Sequence, residues 1–118
     1  MRRRILPLPP MADSRMHTTS STTPPAAIAF PHEAWPGPGE ALAVASGVYW
    51  LRMPLPFVLN HINLWLLADG DGWTIVDSGV DPAQIRDLWQ QLHAAAMGGR
   101  PVRRLIVTHF HPDHFGLA

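Results

Sequence analysis

At 118 residues the chain has room for one small domain, and 47% hydrophobic content with a formal net charge of zero suits a globular protein. Neutral charge and scattered basic residues, all nine of them arginine, argue against nucleic acid or an anionic membrane as partner; nothing in the sequence speaks to oligomeric state. The absence of cysteine excludes disulfides and thiolate metal ligands, and by itself fixes no compartment.

Residues 1–40 hold eight of the thirteen prolines and the tract Thr18-Thr19-Ser20-Ser21-Thr22-Thr23. With no sustained apolar period, this Pro/Ser/Thr-rich lead is expected to be disordered, and His17 and His32 within it solvated. Met1-Arg2-Arg3-Arg4 before Ile5-Leu6 has the charge of a secretory signal. Pro7, Pro9 and Pro10 break its apolar stretch far too early, so a cytoplasmic location is expected. Met11 and Met16 are alternative starts.

Residues 41–118 form the expected domain, with order beginning near Gly47. Val48-Tyr49-Trp50-Leu51-Arg52-Met53 is rich in β-formers, and Ile62-Asn63-Leu64-Trp65-Leu66-Leu67 is an apolar run of strand length. Asp69-Gly70-Asp71-Gly72 is a turn signal that joins this run to Trp73-Thr74-Ile75-Val76 as a hairpin. The continuous apolar character predicts strands buried on both faces of a layered α/β protein.

A helix follows. Asp81 is placed to cap it, Pro82 suits the first helical position, and Gln84 stands where a capping box puts its return partner. Ile85, Leu88, Trp89 and Leu92 recur at helical spacing, predicting a face packed on the sheet, with His93 on the polar side and Gly98-Gly99 as the stop. Arg103 to Thr108 is the next strand, and the strand-helix-strand order predicts an α/β sandwich.

Directly behind that strand stands Thr108-His109-Phe110-His111-Pro112-Asp113-His114-Phe115-Gly116, four potential metal ligands within six residues. Neutral imidazole nitrogens and carboxylate oxygens are the donors that borderline divalent cations such as zinc favour. His109 and His111 are two apart, so in extended backbone both leave from the same side, within reach of one ion. Pro112 cannot donate to a ladder and bends the path, letting Asp113 and His114 point at a second ion. Two cations roughly 3.5 to 4 Å apart clamp an attacking and a leaving oxygen.

This run, after Leu105-Ile106-Val107, resembles the ligand signature of the metallo-β-lactamase superfamily, a strand followed by His-x-His-x-Asp-His. The resemblance implies a fold, the N-terminal portion of a four-layer αββα sandwich, and two zinc ions, iron or manganese being alternatives. It implies His109 and His111 on the first ion and Asp113 and His114 on the second. A stretch resembling Thr74-Ile75-Val76-Asp77-Ser78-Gly79 carries a family acidic residue, a place that Asp77 fits. Asp77 could merely cap a turn; in the functional reading it accepts a hydrogen bond from a ligand histidine or nearby backbone and orients it. His61 follows a loop, Pro54-Leu55-Pro56-Phe57, that resembles family loops near the substrate.

The family completes its site with a further histidine, a bridging carboxylate and a last histidine, all downstream. The resemblance runs from about Gly47 to Ala118, so the chain reads as a fragment or truncated product, inactive by itself. For the complete domain the resemblance implies metal-assisted hydrolysis of an ester, thioester or lactone in a small-molecule substrate, with Asp113 both a ligand and the group that steers the water's proton. The nearest likeness is to hydroxyacylglutathione hydrolases, the type II glyoxalases. A phosphodiesterase or nuclease of the same superfamily and a non-catalytic metal-binding remnant are the alternatives.

Overall fold

A computed structural model describes residues 26–118; the expectations for His17, for the Thr/Ser tract and for the alternative starts lie outside those residues. Seven elements follow in order: β1 (Leu42–Ala45), β2 (Val48–Pro54), β3 (His61–Asp69), β4 (Gly72–Val76), α1 (Ala83–Ala94), β5 (Val102–Ile106) and α2 (Pro112–Phe115). The strands make one sheet in chain order, antiparallel from β1 to β4, and β5 joins β4 in parallel. A parallel neighbour needs a crossover connection, and α1 supplies it. Among the described residues no helix is long and apolar enough to cross a membrane.

The hairpin between β3 and β4 closes where the sequence signals it, with Asp69 paired to Gly72. Gly70 takes φ +61°, the left-handed conformation such a two-residue turn requires. β1 precedes the point where order was expected to begin, and its Leu-Ala-Val-Ala composition gives little strand signal. Residues 26–40 form no helix or strand, yet Pro36 is buried and the chain at Gly39 lies against Leu88 and Gln91 of α1.

The core lies on one side of the sheet. Leu51 and Met53 of β2, Ile62, Leu64 and Leu66 of β3, and Trp73 and Ile75 of β4 pack with Ile85, Leu88 and Leu92 of α1. The three helix residues recur at i, i+3 and i+7, so α1 lays a single stripe on the sheet. Met97, in the turn that leaves α1, is also buried, and its carbonyl accepts the Trp73 indole N–H at 3.0 Å.

Two local expectations need correction. The strands are not uniformly buried on both faces: β2 and β3 alternate, β4 is enclosed, and every residue of β5 is exposed. One helix covers one face only, so the antiparallel strands keep a period of two. Cross-strand pairing puts Trp50, Trp65, Val76 and Ile106 in one row on the outer face, with the two indoles stacked at 6.5 Å. Nor does Asp81 cap α1. Pro82 is the N-cap residue, with no side-chain cap hydrogen bond, because Arg86 holds both Asp81 oxygens at 2.6 and 2.7 Å. A bidentate charge-assisted pair outcompetes a single bond to a backbone N–H.

Candidate metal centre

The chain leaves β5 at Ile106, bends through 108–110 and enters α2, for which His111 is the N-cap residue. Pro112 opens that helix, where its missing N–H costs nothing. Because β5 runs parallel to β4, this segment emerges beside the C-terminal end of β4, where Asp77 begins the loop to α1. Residues thirty-one or more apart in sequence thus meet at one end of the sheet.

Asp77 is the hub. It is 4% exposed and takes φ +61°, in the left-handed region that Asp tolerates better than most side chains. Its N–H donates to the Ile106 carbonyl at 2.8 Å. Its Oδ1 accepts the Thr108 N–H at 2.8 Å, and its Oδ2 accepts the Thr108 hydroxyl at 2.8 Å and His114 Nδ1–H at 2.7 Å. Burial pushes the Asp77 carboxyl up, but the bonds from His114 and Thr108 outweigh it and hold the group below the usual carboxylate value. The ionised form is therefore the one the site is built around.

These bonds decide the histidine tautomers. With its proton given to Asp77, the Thr108 hydroxyl is left to accept from Nδ1–H of His109 at 3.0 Å. With Nδ1 engaged in each ring, Nε2 is the nitrogen of His109 and of His114 that is left for a metal. Their rings lie 3.8 Å apart between centroids. Nε2 of His109 is 3.1 Å from Nδ1 of His111, and Nε2 of His114 is 3.4 Å from Oδ2 of Asp113.

The donor set fits a borderline divalent cation. Two nitrogens each bound at 2.0–2.1 Å and a tetrahedral angle stand about 3.3 Å apart, close to the His109–His111 separation. Among the described residues no three histidine or acidic side chains converge tightly enough to make a complete ion site. The close contacts are pairwise, His109 with His111 and Asp113 with His114.

Two residues that sequence reasoning did not single out hold this arrangement. Thr108 links Asp77 to His109, as described. Ser78 fastens α2: its N–H donates to the His114 carbonyl at 2.8 Å and its hydroxyl oxygen accepts the Leu117 N–H at 3.2 Å. Trp89 of α1 locks Ser78 from behind, indole N–H to carbonyl, at 2.8 Å. Gly116 lets α2 approach so closely, since a Cβ there would meet the Gly79 carbonyl oxygen at 2.9 Å and the Val80 Cα at 3.1 Å. Both Thr108 and Ser78 stand next to recognised residues, but only tertiary pairing reveals their bonds. His61 lies at the same end of the sheet, opening β3, where it contacts Arg52 and Asn60; His93 is exposed on α1.

The sequence model of the metallo-beta-lactamase superfamily matches residues 58–118. The probable metallo-hydrolase YqjP of Bacillus subtilis (strain 168) is 32% identical over 68 residues, 57% of this chain and 21% of that protein. Among solved structures, a beta-lactamase domain protein from Burkholderia ambifaria is 56% identical with a TM-score of 0.68, over 73% of this chain and 28% of that one. A metallo-beta-lactamase family protein from Thermus thermophilus is 35% identical with a TM-score of 0.58, over 64% and 26%. The chain thus spans between a fifth and three-tenths of the relatives it matches. With its mixed α/β fold and its histidine-rich segment held beside Asp77, the chain belongs to the metallo-beta-lactamase superfamily.

Proposed function

We propose that this chain supplies the metal-binding portion of a zinc-dependent hydrolase acting on an ester, thioester or lactone, in which His109 and His111 hold one ion and Asp113 and His114 a second. The observation that carries the reading is the orientation of the imidazoles: Asp77 ties Nδ1 of His114 and Thr108 ties Nδ1 of His109, so Nε2 of each ring is the atom left for a metal. A zinc ion held by these residues would supply a water acidic enough to act as nucleophile near neutral pH and would polarise the bond under attack.

The chain's own residues do the rest. Asp77 stays ionised and fixes the ring of His114, so little reorganisation is needed when the ligands are engaged. Asp113 is half-buried in the first turn of α2; in this reading its carboxylate accepts a proton from the attacking water. No serine or cysteine nucleophile is required. The likeness to type II glyoxalases favours a thioester, and the neutral overall charge favours a small molecule over nucleic acid.

The test is zinc content and thioester turnover of the intact protein, with His111→Ala and His114→Ala variants. Two ions, turnover, and loss of both on substitution support the reading; bound zinc without turnover of any acyl substrate leaves metal binding without hydrolysis.

A further inference from the structure

Arg52 has no carboxylate partner among the described residues, whereas Arg86, Arg103 and Arg104 each have one. It lies on the outer face of β2, paired across the ladder with Asn63. Its Nε is shut away from solvent with no hydrogen-bond partner. Its guanidinium sits 5.4 Å from the centre of the Trp35 ring, and its Nη2 lies 2.7 Å from Nε2 of His61. Nη2 is also 2.8 Å from Nδ1 of that ring, and Nδ1 lies 2.8 Å from Oδ1 of Asn60.

The neighbours position this cation without neutralising it. Burial and the Arg52 charge hold the His61 imidazole below its ordinary pKa, so the ring stays neutral at pH 7. Arg52, Trp35, Pro54, Asn60 and His61 line a small cavity of about 220 Å³. A guanidinium with no carboxylate partner, flanked by an aromatic face and lining a cavity, attracts a planar or tetrahedral oxyanion.

The cavity also sits where a substrate would reach it. Trp65 pairs with Val76 and Val76 with Ile106, so the start of β3 and the segment after β5 emerge at one end of the sheet. Three strand spacings of about 4.8 Å separate β2 from β5, which places Arg52 about 14 Å across the sheet from the histidine segment.

We propose that Arg52, oriented by His61 and covered by Trp35, is an anion subsite that takes a carboxylate or phosphate at the far end of a substrate whose scissile bond lies at the His109–His114 centre. The subsite itself stands on its own geometry; its link to a substrate rests on the hydrolytic reading above. An anion held there fixes the distance between recognition and reaction, selecting substrates of matching length.

The test is a chemical-shift titration of the intact protein with glutarate and, separately, with inorganic phosphate, read at the Arg52 Nε–Hε and Trp35 indole signals. Saturable movement with glutarate assigns a carboxylate, and with phosphate a phosphoryl group. Arg52→Lys keeps the charge but loses the fork and should weaken the response at Trp35 by about tenfold or more. Arg52→Gln should abolish it, with the buried Trp73 indole signal unmoved as the check on folding. The proposal is overturned when neither anion shifts Arg52, or when Arg52→Lys responds as strongly as the parent. Zinc content of the same samples separates the two readings: anion binding without zinc keeps the subsite and removes the hydrolytic centre, while zinc without anion binding does the reverse.

Discussion

Oδ2 of Asp77 stands 2.7 Å from Nδ1 of His114, a residue 37 positions further along the chain. That bond joins the loop after β4 to the helix after β5, and it sets which nitrogen of His114 is left to meet a cation. The shape of the candidate centre depends on a buried carboxylate that is not among its proposed ligands.

Asp77→Asn keeps the size of the side chain and its tolerance of positive φ, but removes the charge and one acceptor. Zinc affinity of the intact protein is expected to fall about 10- to 100-fold, the usual effect of losing an orienting partner. Competition with a chromophoric chelator measures it; affinity equal to the parent's would remove Asp77 from the account.

Gly116→Ala places a methyl group against the Gly79 carbonyl oxygen at 2.9 Å and the Val80 Cα at 3.1 Å. Overpacking of this kind costs about 1–3 kcal/mol, and here the strain falls on the contact between α2 and the 77–80 loop. Weaker zinc binding is expected with most of the fold retained, read by chelator competition beside thermal unfolding. A variant with unchanged metal affinity would show that the close approach of α2 is not what aligns His114.

Leu64→Ala empties a fully buried position between β3 and α1. A loss of about 2–5 kcal/mol is expected from denaturant unfolding of the intact protein. Leu105→Ala, on exposed β5, should cost much less in the isolated chain, because its side chain is 37% exposed. Equal losses at the two positions would contradict the exposure of β5.

His61 carries a pH dependence with a defined sign. Burial, then the Arg52 charge, lowers its folded pKa below the ordinary 6.5, so the folded state binds fewer protons than the unfolded one. Its contribution is present above 6.5 and is lost as pH falls through that value toward the lowered folded pKa. Stability should therefore decline on acidification in this window, and His61→Gln should flatten that part of the profile. A parent and variant with parallel profiles between about pH 7 and about pH 5 would contradict this assignment.

Much of this arrangement is legible in the residues. The candidate site declares itself because four potential donors crowd six positions, and the β3–β4 hairpin because Asp69-Gly70-Asp71-Gly72 has few other uses. Ile85, Leu88 and Leu92 name the buried stripe of α1 in advance. What stays hidden is set by tertiary competition. Asp81 looks like a cap until Arg86, on the same exposed side, claims both its oxygens. The apolar runs of β2 and β3 look doubly buried, but among the described residues only α1 packs as a helix against the core, and it covers one face. Thr108 and Ser78 gain their roles from partners more than thirty residues away, which no local spacing encodes.

The central claim is that His109, His111, Asp113 and His114 hold divalent cations. Titration calorimetry of the metal-stripped intact protein with zinc tests it most directly. Uptake of two ions is expected, one lost in His111→Ala and the other in His114→Ala. No uptake, or uptake that both variants retain in full, would contradict the account.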